Sequence, residues 1–179
     1  MRLLASSQAV VVACVLAIAS AGQAAETGET FAVARVVNGD TIRLVNGQTV
    51  RLAQIDAPGV SPGVECYGLR ASAITKALLP KGTAVRLRAD PSTYPFDEQG
   101  RILRYVIRDH DGVNVNLRLV SVGAAAPYFS DGHCGQYAPR LVELARNAKA
   151  RKRGLWGACP RTKYDPSRAV DTRHTRLVD

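Results

Sequence analysis

No C-x-x-C pair and no paired His/Cys arrangement at zinc-ligand spacing occurs in this chain, which argues against a structural zinc site. The histidines, His110, His133 and His174, stand too far apart to share a ligand and read as ordinary surface residues. Internal repeats and Pro/Gly/Ser-rich linkers are also missing, so neither a solenoid nor a tandem of domains is expected. A chain of 179 residues with 46% hydrophobic content has room for one domain with a sizeable core. Acidic residues are scarce relative to basic ones, 15 against 24, which leaves a formal charge of +9. Such a surplus favours polyanionic partners, nucleic acid ahead of an anionic membrane surface.

The N-terminus reads as an export signal. Met1-Arg2 supplies a positive start, Ala9 to Ala19 is apolar, and Ala19-Ser20-Ala21 and Gly22-Gln23-Ala24 each offer a small-residue cleavage site. We therefore expect residues 1–24 to be removed and the mature chain to be secreted or periplasmic, with no other membrane association. The alternative is an uncleaved membrane anchor, since residues 3–22 are just long enough to span. Export sets the redox context: Cys14 leaves with the signal, and Cys66, Cys134 and Cys159 remain for one disulfide and one free thiol. Cys134 and Cys159 flank a helix expected over residues 136–153, about 25 Å long, whose flanks would run almost taut to join them. Cys66 precedes an earlier expected helix. Antiparallel packing of the two helices would bring Cys66 to Cys159, the favoured pairing.

Hydrophobic periodicity predicts strands over residues 31–37, 41–45, 48–55, 83–89 and 101–108, with an Asn46-Gly47 type I′ hairpin between the second and third. Helices are expected over residues 67–79, 115–122 and 136–153, the second ending at Gly123 and the third burying Tyr137, Leu141, Leu144, Ala145 and Ala148. Five strands with a helix between the third and fourth predict an α+β fold: a five-stranded β-barrel of the oligonucleotide-binding (OB-fold) type with three helices. The domain would run over residues 30–160, and the polar, aperiodic stretch 161–179 would be a flexible tail.

Two runs carry the chemistry. Val37-Asn38-Gly39-Asp40-Thr41-Ile42-Arg43-Leu44 and Val50-Arg51-Leu52-Ala53-Gln54-Ile55-Asp56-Ala57-Pro58 each place an aspartate at a turn beside an apolar, alternating stretch. Taken singly, Asp40 is a turn former and Asp56 a strand-end cap. Taken together with Arg51, two carboxylates at neighbouring strand ends can hold a hard cation against a phosphate. That points to phosphodiester chemistry.

With these runs, the chain resembles the staphylococcal (thermo)nuclease family from about Phe31 to Cys159. Glu65-Cys66-Tyr67-Gly68, residues 97–105, Val115-Asn116 and Gly154-Leu155-Trp156 follow in the family's order. The resemblance implies a Ca²⁺ site formed by Asp40, Asp56 and the backbone carbonyl of Ala57, with water completing the shell. It implies that Arg51 and Arg101 are the catalytic, phosphate-binding arginines, whose planar guanidinium groups can each make two parallel hydrogen bonds to phosphate. Tyr128 and Phe129 fall where the family presents aromatics that stack on a base or sugar of the substrate.

One departure stands out. After the Asp-x-Pro run the family carries a glutamate proposed as general base, and this chain has Gly59. Glu65 and Asp97 are the candidate substitutes. Gln99 likewise stands where an aromatic usually precedes the second arginine's glycine. General-base catalysis is typically worth about 10²–10⁴ in rate, so its loss would weaken a metal-and-arginine nuclease rather than abolish it. The expectation is an exported, Ca²⁺-dependent nuclease acting on DNA and RNA with little sequence preference and no stable protein partner. The alternative is a catalytically impaired domain of the same fold that binds nucleic acid or other polyanions, and the two acids argue against it, since pure binding needs no acidic pair in a basic groove.

Overall fold

The computed structural model describes residues 29–172. The expected signal, residues 1–24, lies outside them. The chain runs β1 (Thr30–Asn38), β2 (Thr41–Leu44), β3 (Thr49–Leu52), β4 (Ile55–Asp56), α1 (Gly68–Leu78), β5 (Ala84–Arg88), β6 (Ile102–Arg108), α2 (Val115–Ser121), β7 (Ala126–Pro127), a 3₁₀ turn (Ser130–Gly132), α3 (Ala138–Ala150) and α4 (Leu155–Ala158). Five strands close a barrel in the order β1-β2-β3-β6-β5. Every contact is antiparallel except β3 with β6, where Arg51 lies opposite Leu103. A parallel pair cannot be joined by a hairpin, and α1 and β5 lie in the connection. The result is the OB-type α+β barrel.

Alternation decides what faces inward. Val33, Ile42, Leu44, Val50, Leu52, Val85 and Val106 fill the barrel, while Leu119, Leu141 and Leu155 close it from the helical side. Burying each such side chain is worth about 1.5–3 kcal/mol. The α3 stripe buries Leu141, Ala145 and Ala148, with Tyr137 and Leu144 partly covered. Helix α2 ends as its glycine predicts: Gly123 takes φ 71°, its N–H bonds Val120 O, and Ala124 N–H bonds Leu119 O.

Three local expectations change. The Asn46-Gly47 turn is not type I′, because Gly47 takes positive φ (88°) while Asn46 does not. Leu44 and Gln48 pair across a three-residue loop, a type I turn with a glycine bulge. The third strand, expected to run to residue 55, breaks at Gln54, which adopts left-handed φ (61°) and sends β4 away to pair with β7. Finally, the stretch after residue 160 is packed rather than free as far as residue 172. Lys163 and Asp171 form a bridge, Val170 is buried, and the Tyr164 ring meets Trp156 edge-on at 5.3 Å. Two apolar side chains in a polar segment are enough to anchor it. Among the described residues no helix is long and apolar enough to cross a membrane.

Candidate active site

The turn between β1 and β2 is built for close approach. A Cβ on Gly39 would lie 2.6 Å from that of Ala57 and 3.2 Å from that of Ala71, so only glycine lets this turn nest against α1 and the start of the 58–65 loop. The Thr75 hydroxyl donates to Gly39 O (2.6 Å), and Asp40 N–H to Asn38 Oδ1 (3.1 Å). The turn thereby sets Asp40, only 3% exposed, into the corner beneath β4. Its Oδ2 accepts from Ala57 N–H at 2.8 Å, and its Oδ1 from the Thr41 hydroxyl at 2.9 Å.

Arg51 holds the corner together. From β3 its Nη1 donates to Ile55 O (2.7 Å) and Leu52 O (3.2 Å), on either side of the β3–β4 break. Its Nη2 lies 2.7 Å from Asp56 Oδ1 and 3.2 Å from Asp40 Oδ2. One guanidinium nitrogen therefore bridges both carboxylates. Asp56 Oδ2 accepts from Val170 N–H (2.8 Å), so the C-terminal segment caps this acid. Burial raises the Asp56 carboxyl from 3.8 to about 6; Arg51 opposes the rise, and Asp40 adds to it.

Arg101 immediately precedes β6 and is aimed by Asp97, which accepts from its backbone N–H (2.9 Å) and its Nε (2.5 Å). Its Nη1 reaches the Thr41 hydroxyl at 3.5 Å, and that hydroxyl in turn donates to Asp40. Arg101, Thr41, Asp40, Arg51 and Asp56 thus form one connected chain of polar contacts. Thr41 was visible in the sequence run beside Asp40, yet only the fold gives it this linking position.

The donor set can be tested against a hard divalent cation. Two carboxylates and one guanidinium carry net negative charge when both acids are ionised, and burial is the main cause that raises the Asp56 carboxyl. Asp40 Oδ1 and both Asp56 oxygens each make one of these hydrogen bonds and keep a lone pair. Oxygen donors of this kind, with the adjoining Ala57 carbonyl and water, suit Ca²⁺. Among the described residues no group of three or more His, Cys, Asp or Glu side chains could hold a metal ion, so a backbone carbonyl and water would have to complete any shell around the two acids.

Arg51 and Arg101 line an open cleft of about 530 Å³, whose wall also includes Tyr128, Tyr94, Phe96 and His133. Tyr128 is placed there because its N–H bonds Gln54 O (2.9 Å), extending the β4–β7 pairing. Phe129 does not join it. That ring is 6% exposed and packs in the core, so Phe129 cannot stack on a substrate base. The next residue along an extended segment faces the opposite way, and here the opposite way is inward.

Gly59 has a charged neighbour. Its N–H donates to Glu65 Oε2 (2.9 Å), Glu65 N–H donates back to Gly59 O (2.9 Å), and a Cβ on Gly59 would touch the Glu65 carboxyl carbon at 3.6 Å. The Glu65 carboxylate therefore stands beside the position that the family's glutamate would leave from. Cys66 next to it is joined to Cys159, with Cα atoms 6.1 Å apart, and Cys134 is an exposed free thiol.

Comparison with known proteins agrees with this geometry. A family model described as staphylococcal nuclease homologue matches residues 49–158. The thermonuclease of Staphylococcus intermedius is 33% identical over 135 residues, covering 72% of this chain and 77% of that protein. A match that begins at the arginine-bearing strand β3 and runs to the end of α4 makes this chain a member of the staphylococcal nuclease family.

Proposed function

We propose that the mature chain is a Ca²⁺-dependent nuclease that hydrolyses phosphodiester bonds of DNA and RNA with little sequence preference. The observation that carries this reading is Arg51 shared between Asp40 and Asp56 at the edge of a cleft that Arg101 also lines. Asp40, Asp56 and the Ala57 carbonyl would hold the ion. When bound, the ion supplies Lewis-acid polarisation of a phosphoryl oxygen and orders the attacking water.

The chain's own groups do the rest. Arg51 Nη2 would donate to a phosphate oxygen, while Nη1 stays anchored on Leu52 O and Ile55 O. Arg101, oriented by Asp97, donates from the other side. The two guanidinium groups stabilise the extra negative charge as water adds to phosphorus and the ester oxygen departs. Contacts made to phosphate rather than base edges carry no sequence information, which accounts for low specificity. Glu65, whose carboxylate accepts from Gly59 N–H, is the group we propose to orient water or accept its proton. DNA and RNA are the partners this chemistry requires. Export through the N-terminal signal is part of the proposal, and the Cys66–Cys159 bridge is consistent with an oxidising compartment.

Gly59 favours a second reading, a domain that binds nucleic acid without cutting it. Incubating the mature protein with plasmid DNA and with RNA, in calcium or a chelator, separates the two. Calcium-dependent cutting that disappears in Asp40→Ala and in Arg101→Ala is the expected result. Salt-sensitive retention of DNA without cutting, intact in Asp40→Ala, would establish the binding module instead.

A further inference from the structure

The two acids of the corner are fixed by different kinds of neighbour. Asp40 takes hydrogen bonds from Thr41 and Ala57, which belong to the same corner of the barrel. Asp56 takes one from Arg51 Nη2 on Oδ1 (2.7 Å) and one from Val170 N–H on Oδ2 (2.8 Å). Val170 lies 114 residues further along the chain, past residue 158 where the family match ends. A donor on each oxygen holds the carboxylate plane against turning about its last bond. Without Val170 N–H that restraint falls to Arg51 alone.

The segment that delivers this N–H is a small docked loop. Lys163 and Asp171 exchange backbone hydrogen bonds (3.0 and 3.2 Å), which closes the loop on itself. Inside it Asp165 Oδ1 accepts from Ser167 N–H (2.9 Å) and from the Ser167 hydroxyl (2.8 Å). Pro166 O accepts from Phe129 N–H (2.6 Å) just after β7, and the Tyr164 ring meets Trp156 of α4. Val170 and Thr172 are 5% and 1% exposed. A loop with so small a docked area belongs to the low-stability end of a fold and opens without the barrel unfolding. An element that opens by itself and touches one ion ligand can couple its docking to the ion.

We infer that Val170 is a positioning residue for the ion site: its backbone N–H orients Asp56, so that calcium binding and docking of residues 161–172 favour each other. The inference rests on the nuclease reading, and within it on Asp40 and Asp56 holding the ion. Val170 N–H occupies one lone pair of Asp56 Oδ2 and leaves another for the cation. Outer donors of this kind are typically worth about 10- to 100-fold in metal affinity, because they hold a ligand oxygen where the ion needs it. Reciprocity then requires a bound ion to hold the loop down by the same factor.

The test is calorimetric titration of the full mature chain with calcium at pH 7. Val170→Pro removes the N–H and keeps an apolar body, whereas Val170→Ala keeps the N–H and removes buried methyl groups. Val170→Pro should bind calcium about 10- to 100-fold more weakly than wild type. Val170→Ala should lose melting temperature and keep its calcium affinity. Hydrogen exchange on the wild type reads the coupling without any variant: saturating calcium should slow the amides of residues 161–172 by about 10- to 100-fold. Val170→Pro that binds calcium like wild type would overturn the inference and leave the ion site standing. So would Val170→Ala that loses as much affinity as Val170→Pro, or loop exchange that calcium leaves unchanged. Wild-type protein that takes up no calcium would overturn the ion site itself, and the inference with it.

Discussion

Two buried polar clusters grip the same short turn between β3 and β4, and they differ in balance. Asn116 is fully buried and fully paired: its Oδ1 accepts from Val106 N–H (3.0 Å), and its Nδ2 donates to Ala53 O (2.8 Å) and Arg104 O (3.4 Å). It joins α2 to the parallel β3–β6 contact with no group left over. Arg51 grips the turn through Leu52 O and Ile55 O, then faces two carboxylates with one charge. The balanced cluster is structural. The unbalanced one reaches a cleft through Arg51, and a bound cation would supply the positive charge it lacks.

Breaking the comparison gives the largest effects. Arg51→Met should lower cleavage by about 10²–10³-fold, since it removes donors aimed at charge that develops in the reaction. Asn116→Ala should instead cost about 1–3 kcal/mol for each buried group left unpaired, read as a shift of the urea midpoint. Its kcat per folded molecule should stay near wild type. A comparable loss of kcat in Asn116→Ala at full stability would erase the distinction.

A smaller effect sharpens the unbalanced side. Glu65→Gln keeps the side chain's size and a hydrogen-bonding oxygen for Gly59 N–H while removing the proton acceptor. Turnover should fall by about 10²-fold with oligonucleotide affinity unchanged. Unchanged kcat would leave Glu65 as a clamp for the 58–65 loop and nothing more.

Much of the barrel and its corner could be read from the sequence because period and turn chemistry act locally. The alternation of Val33, Val50, Leu52 and Val85, the stripe on α3 and the glycine turn before Asp40 are all short-range signals. The Cys66–Cys159 bridge could be approached too, from how two helices would pack. What escaped depends on tertiary contacts. Gln54 reads as strand, and its left-handed turn exists only because His133 and Gly135 reach across to its side chain. Tyr128 and Phe129 are adjacent aromatics, and the β4–β7 pairing alone decides which one faces the cleft. Tyr94 and Phe96 sit in a loop without periodicity, where exposure has no sequence signal. Val170 reaches Asp56 from far along the chain, through a segment whose composition reads as disordered.

The central claim is that Asp40 and Asp56 together form a cation site, and calorimetric titration of the wild-type protein with calcium tests it most directly. Because the Asp56 carboxyl is raised to about 6, the folded protein holds a proton there more tightly than an unfolded chain would, and that proton competes with the ion as pH falls. The account predicts saturable binding at one site at pH 7, weakened at about pH 5 and lost in Asp40→Asn. Absence of binding at pH 7, or binding that survives Asp40→Asn unchanged, would contradict it.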